Sequence, residues 1–533
     1  MYINKKYRIT VPVMLVVMAT VLGSLCIDQS SGEKTASANQ TNISSQGGIL
    51  RYADASIPTD TLDPAIKWTG WSMREAGIYE TLFSYDENMD LQPELAEKYE
   101  QISDTEWKIH IREGVKFHDG TPLDADAVIY SLNRVLDSNN SRKGEYDFIE
   151  YITKDSENVV TIKTKYPYAP TIASLTDPVT SIVSPSAKDL STNPVGTGPF
   201  KFKSFSRDVS LVVERNEDYW NGIPRLHGAI IYYVPDEMSR IFKLENNEVD
   251  IASDIPQSEV ERLSNNIDFT VYDKETLRTY FLYINTKKAP FDDVKVRQAL
   301  NCALDRQQIV DSALEGVGGT PAKSIFPSVM EWSINDKIDA LSRDEQKAKK
   351  LLTEAGFSDV DADGWLEYNG EPFELNIKTY TTRPQLKPAA EVIESQFESI
   401  GLKTSVSILQ SGAIETDMDN GNYDLSLYAW GVAPTGDPDY ILSKHFESTG
   451  SEAQRTGYSN PQVDEWIEAG RQTMDPAQRK EYYDSVQMQV MEDCPELFVF
   501  YQNSIVGANA KVGGFKQFPN EVSFLTKDIY LEE

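Results

Sequence analysis

Histidine and cysteine are scarce in this chain of 533 residues, four and three respectively. His110, His118, His227 and His445 form no close-spaced pair on a helix, and Cys26, Cys302 and Cys494 lie in no CxxC or similar spacing. Both facts speak against a metal held by protein ligands alone. The signatures of common hydrolytic and nucleotide chemistry are missing too: there is no HExxH, no GxSxG and no GxxxxGK[ST]. Positive charge is short, with 51 Lys and Arg against 83 Asp and Glu, a formal charge of −32 that would repel a phosphate backbone. No nucleic acid partner is therefore expected, and the excess acid suits the solvated surface of an exported protein. In so acidic a chain, pairs of carboxylates carry no information about general acid and base roles.

What is present fits an ordered globular protein, with 40% hydrophobic residues, 10% aromatic residues and 26 prolines. The length exceeds one simple core and suits two or three domains around a substantial cleft. Lys5, Lys6 and Arg8 precede the apolar run Ile9 to Leu22 and then Gly23, Ser24, Leu25 and Cys26, which is how an export signal is built. Cys26 stands where a lipoprotein's acylated cysteine stands, although Leu25 and Gly23 depart from the usual pattern. The alternative is an anchor left in place, since the run approaches the about 20 apolar residues that span a bilayer. Residues 27–47 are mostly small and polar and read as a flexible tether. Both readings put the body outside the cytoplasmic membrane, attached to its outer face through the N-terminus.

Beyond Gly48, short strand-like and helix-like segments alternate, the α/β mode. Trp107, Ile109 and Ile111 share one face of a strand, with Lys108, His110 and Arg112 on the other. Ala229–Val234 and Thr279–Ile284 read as further strands. Ser342 and Glu345 predict a capping box for a helix carrying Ala348, Leu351, Leu352 and Ala355 and closed by Gly356. Pro388 predicts the first turn of a helix ending at Gly401, and Val296, Ala299, Leu300, Ala303 and Leu304 mark a third. Asp359, Asp361, Asp363 and Gly364 open like an EF-hand loop, but Gly370 stands where the closing glutamate belongs, so a polar turn is expected. Cys302 and Cys494 read as buried thiols, with a disulfide between them left open.

Several segments together resemble the family 5 solute-binding proteins, the group of oligopeptide-, dipeptide- and nickel-binding receptors. They begin with Leu62-Asp63-Pro64, Tyr79-Glu80-Thr81-Leu82 and Leu95-Ala96-Glu97, and continue through Trp107 to Gly120 (WKIHIREGVKFHDG). Gly196-Thr197-Gly198-Pro199-Phe200, Arg215-Asn216, Tyr219-Trp220, Asn285-Thr286, Pro290-Phe291 and Val296 to Leu300 follow in the family's order. The resemblance implies a bilobal, periplasmic-binding-protein-like α/β fold that closes on its ligand by a hinge. It places lobe one at residues 48–284 with the C-terminal segment 506–533, and lobe two at 285–505. The chain would cross between them near Tyr280–Lys288 and Leu497–Ile505. It further implies a monomeric receptor with no cofactor and no catalytic step, delivering its ligand to the permease and ATPase subunits of an ABC importer. The runner-up from another class is a secreted hydrolase acting on peptides or esters, for which no motif is found.

Tyr428 to Tyr440 resembles the family's ligand-lining loop, and two ligand classes stay open. In peptide-binding relatives an aspartate shortly after the tryptophan meets the peptide's α-ammonium; here that place is Ala433 or its neighbours, and Asp437 follows later. The Trp-Gly start resembles nickel-type relatives, in which a chelated metal is held by arginines, and Arg142 and Tyr146 lie in the corresponding region. His445, beside the loop, is weighed as a single ligand to a chelated metal against a solvent-facing or capping histidine. Arg278 and Arg383 offer guanidinium forks suited to carboxylates, with structural ion pairs as the alternative. Trp68, Trp71, Tyr428 and Trp430 would supply flat walls.

Overall fold

The computed structural model describes residues 47–58, 60–522 and 524–532. The expected export signal, Cys26 and the tether up to residue 46 lie outside the described residues.

The alternation around Trp107 becomes the strand Glu106–Ile111, whose Trp107, Ile109 and Ile111 are buried. It belongs to a four-stranded antiparallel sheet ordered Ala96–Ser103, Glu106–Ile111, Val159–Thr164, Ile149–Ser156, with the helix Ala125–Val135 packed against it. His110 occupies the partly exposed face, 3.1 Å from Glu100.

The helices follow their sequence signals with one change of cap. The helix Glu345–Glu354 is capped by Asp344, whose carboxylate accepts from the Lys347 N–H at 2.9 Å, and not by Ser342. Asp344 immediately precedes the first turn, whereas Ser342 lies two residues further out. Gly356 follows at φ +95°. Pro388 is the third residue of the helix Leu386–Ser399, where its missing N–H is one of the four with no intrahelical partner. The Val296 pattern forms the helix Val294–Ala303, capped by Asp293. The Asp359–Gly364 segment is an exposed turn whose carboxylates accept N–H bonds from Ala362, Asp363, Gly364 and Trp365. Cys302 and Cys494 are both free thiols.

Eleven strands form the main sheet, which is built about two long antiparallel strands, Phe269–Ile284 and Glu496–Asn509. On one side lie, in order, Ile251–Ala252, Ile49–Asp54, Gly228–Tyr233, Ser210–Arg215 and Phe200–Ser206; on the other Leu425–Gly431, Leu375–Tyr380 and Thr404–Leu409. Gly319–Pro321 pairs with Glu496–Asn509 off this path. The register of the two long strands breaks between Glu275 and Arg278, and Leu425–Gly431 pairs with the first only from Arg278 onward.

Packing divides at the same place. One core runs in sequence from Leu277 to Tyr501 and gathers the helices of the second half. Ile505, Val506 and Ala508 join cores built around Ile49–Asp54 and the C-terminal segment, and a further core lies under the four-stranded sheet. Two lobes thus share one continuous sheet, the bilobal α/β fold.

Candidate functional site

The carboxyl ends of strands from both halves of the main sheet open on one cavity of about 590 Å³. Loops diverge at such ends, so side chains from separate elements can converge there. Asp54 ends the strand Ile49–Asp54, and Asp254 follows its parallel neighbour Ile251–Ala252. The helix Thr69–Glu75 adds Trp71 and Glu75. From the other half, Arg383 follows the strand Leu375–Tyr380, Glu415 lies on the helix Ser411–Asp419, and Tyr428 and Trp430 end Leu425–Gly431. Arg278, on the first long strand, and Glu521, from the C-terminal segment, meet between them.

The walls are aromatic. Tyr52 stacks on Phe524 with centroids 4.1 Å apart and planes 9° from parallel. The Trp71 indole N–H donates to the Glu521 carbonyl at 2.7 Å, which fixes the ring, and Trp68 meets it edge-on at 6.4 Å. Tyr428 lies between Tyr380, at 4.7 Å, and Trp430, at 6.3 Å.

Charge is distributed unevenly over this surface. Arg278 donates to the Glu521 carboxylate at 2.7 Å, Lys516 to Glu87 at 2.8 Å, and the Tyr428 hydroxyl to Glu415 at 3.3 Å. Among the described residues, Asp54, Glu75, Asp254, Glu415 and Arg383 have no ion-pair partner within 4.0 Å. Burial, and then the Asp254 charge, push the Asp54 carboxyl up to about 6. Burial and the charges of Asp54, Glu521 and Asp254 hold Glu75 well above the usual carboxylate range. Arg383 loses solvation, but the fields of Tyr280, Tyr380, Glu521 and Asp254 raise its pKa above the ordinary value, so it stays a cation.

Asp254 and Glu521 both adopt left-handed backbone conformations, φ +46° and +58°. Such strain persists only where the surroundings enforce it. For Asp254 the enforcing group is the buried Arg240, which donates to the carbonyls of Ser253 and Asp254, each at 2.8 Å, and to those of Val234 and Pro235.

Of the residues singled out in the sequence, Trp68, Trp71, Arg278, Arg383, Tyr428 and Trp430 line this cavity together. Arg142, Tyr146 and Asp437 do not. The Arg142 guanidinium is spent on Asp177 at 2.5 Å and Glu145 at 2.6 Å, behind the Trp68 ring that it stacks under at 4.2 Å. Tyr146 is buried and its hydroxyl donates to the Ser174 carbonyl. Asp437 is closed in a two-bond pair with Arg479, at 2.6 and 2.7 Å. Tyr146 and Asp437 border a separate cavity of only about 70 Å³. His445 is not solvent-facing and is not among the cavity's lining residues: it is buried 2.8 Å from Glu496 and meets the Trp430 ring edge-on at 5.1 Å. Burial pushes His445 down to about 3 and Glu496 well above the usual carboxylate range, which disfavours charge on both. The cavity residues that the sequence did not single out are mainly Asp54, Glu75, Asp254, Glu415 and Glu521; with 83 acidic residues and no local motif around them, only three-dimensional placement separates these five.

Residues 90–453 match the family model described as "Bacterial extracellular solute-binding proteins, family 5 Middle". The heme-binding protein A of Haemophilus influenzae is 29% identical over 94% of this chain and 95% of its own length. The nickel-binding protein NikA of Staphylococcus aureus is 26% identical, over 95% and 97%, and the oligopeptide-binding protein AppA of Bacillus subtilis 27%, over 94% and 96%. Among solved structures, Staphylococcus aureus NikA in complex with Ni(L-His)2 superimposes with a TM-score of 0.77 at 25% identity, covering 91% of this chain and all of that one. Bacillus subtilis AppA in complex with a nonapeptide shares the fold, with a TM-score of 0.78 at 24% identity over 92% and 99%. A family match over more than half the chain, with relatives aligned nearly end to end, establishes that the chain belongs to the family 5 bacterial extracellular solute-binding proteins.

Proposed function

We propose that this receptor captures a short peptide in the cleft, as a zwitterion bridging the two lobes, and presents it to an ABC importer. The observation that carries the reading is the placement of unpaired charge: Arg383 on one lobe, and Asp54, Glu75 and Asp254 on the other. Arg383 takes the terminal carboxylate and the acidic group takes the α-ammonium, both as charge-assisted hydrogen bonds. The aromatic walls cover the side chains between them, and a volume of about 590 Å³ suits a ligand of a few residues. A ligand bound to both lobes stabilises the closed receptor over the open one, which turns capture into a change of shape that a permease can recognise. The hinge lies where register and core both change, at Glu275–Arg278 and Gln502–Ser504, a few residues before the first crossing expected from the sequence and inside the second. The receptor is a monomer held at the outer face of the membrane through Cys26 or the apolar run before it.

The nickel-chelate reading is supported by the Ni(L-His)2 neighbour, but the residues lining this cavity include no histidine or cysteine, so a chelator would supply the nitrogen donors. Calorimetry with tri- and tetrapeptides, their N-acetylated and C-amidated forms, and nickel with histidine decides between the two. Free peptides are expected to bind, with each end-cap weakening them about tenfold or more. Binding of nickel-histidine alone, or equal binding of capped and free peptides, contradicts the proposal.

A further inference from the structure

We infer that the cleft selects peptides whose first residue is basic, so that two positive charges meet the Asp54–Glu75–Asp254 wall and one negative charge meets Arg383. This deepens the peptide reading and rests on it.

Once internal ion pairs are set aside, the cleft is left with unmatched charge. Arg278 is engaged by Glu521, Lys516 by Glu87, and Glu415 accepts from Tyr428. Among the described residues, three carboxylates on one wall have no ion-pair partner, and on the other wall neither Arg383 nor Glu415 has one, since the Tyr428 hydroxyl that donates to Glu415 is neutral. A peptide carboxylate answers the guanidinium fully. Its α-ammonium answers only one of three carboxylates, and closing the cleft would then remove two uncompensated like charges from water. Either those groups take up protons or the ligand brings a second cation. Burial first, and then the neighbouring carboxylates, raise Asp54 and Glu75, so charge on this wall is disfavoured until a cation meets it.

Position within the peptide follows from geometry. The wall of three unpaired carboxylates belongs to one lobe, whereas Arg383 and Glu415 on the other offset each other in net charge, so a second cation gains most at the three-carboxylate wall. A Lys or Arg side chain on the first residue starts at the carbon that bears the ammonium, so both cations reach one cluster. The stacked Tyr52 and Phe524 rings and Trp71 line the same cavity, surfaces on which an aliphatic stem packs and a cation is attracted to the ring face. The wall is also held in shape: Asp254 keeps its left-handed backbone through Arg240, which among the described residues has no carboxylate partner and gives its bonds to four carbonyls.

Calorimetry of the full chain with Lys-Ala-Ala, Ala-Ala-Ala, Ala-Ala-Lys and Glu-Ala-Ala tests this. Lys-Ala-Ala is expected to bind at least about tenfold tighter than Ala-Ala-Ala, with no such gain for Ala-Ala-Lys and a loss for Glu-Ala-Ala. Asp54→Asn and Glu75→Gln should each narrow the Lys-Ala-Ala to Ala-Ala-Ala ratio, a readout that general loss of fold does not move. Equal binding of Lys-Ala-Ala and Ala-Ala-Ala overturns the inference and leaves the peptide reading standing. Tightest binding by Ala-Ala-Lys overturns it by reversing the orientation, and binding of none of the four overturns both readings.

Discussion

Asp54 illustrates how a residue lining the cleft can act against the fold that carries it. Its carboxyl is raised from 3.8 to about 6, chiefly by burial and then by Asp254, while Tyr52 and Arg240 pull the other way and Glu75 stands close by. Below the unfolded value both states are protonated and nothing is lost. As pH rises toward 6 the unfolded chain releases its proton first, so stability falls, and above 6 the full penalty is present. At about 1.4 kcal/mol per pKa unit, Asp54→Asn should stabilise the ligand-free protein by on the order of 1–3 kcal/mol at pH 8 and by little near pH 4. Thermal melts of both proteins across that range check it; a gain independent of pH contradicts it. The arginines separate along the same line. Arg142→Ala strands the buried Asp177 and is expected to cost about 3–5 kcal/mol of stability. Arg383→Ala breaks no ion pair and should leave the melt nearly unchanged while weakening a carboxylate-bearing ligand about tenfold or more, as paired melting and calorimetry would show.

Elements were legible where burial imposes a period and illegible where solvent interrupts it. The helix Val294–Ala303 and the strand Glu106–Ile111 keep one face in a core, so their apolar spacing marks them. The strand Phe269–Ile284 is sixteen residues long, yet only its end from Thr279 reads as a strand. Asp273, Lys274 and Glu275 fall in its partly exposed middle and break the pattern at the point where the register shifts. The aromatic side of the cleft was legible because tryptophan is rare enough to draw notice and its loop resembles the family's. Arg142, Tyr146 and Asp437 were read from position along the chain, and burial with Asp177, Ser174 and Arg479 took each of them out of the cavity. A register break in both crossing strands is where a two-lobed sheet bends with least loss of hydrogen bonding. Saturating ligand should therefore lower the radius of gyration measured by small-angle scattering while the far-ultraviolet circular dichroism stays the same. An unchanged radius at saturation would mean a rigid, preformed site.

On the scale of the whole molecule, the family is extracytoplasmic, and membrane attachment of this chain is what a truncation tests. Among the described residues no helix is long and apolar enough to cross a membrane. Among the described residues, the cores of both lobes are built from residues between Leu50 and Ile529. A chain starting at Gly47 is expected to fold, to bind ligand as the full chain does, and to appear in the soluble fraction, whereas the full chain sediments with membranes. Intact mass of the membrane-bound full chain then distinguishes the two forms of attachment. Lipidation gives a chain that begins at Cys26 and carries acyl groups, whereas an uncleaved anchor keeps the apolar run and carries none. Failure of the Gly47 chain to fold, judged by its melt, would show that residues 1–46 contribute to the body and would end the tether reading.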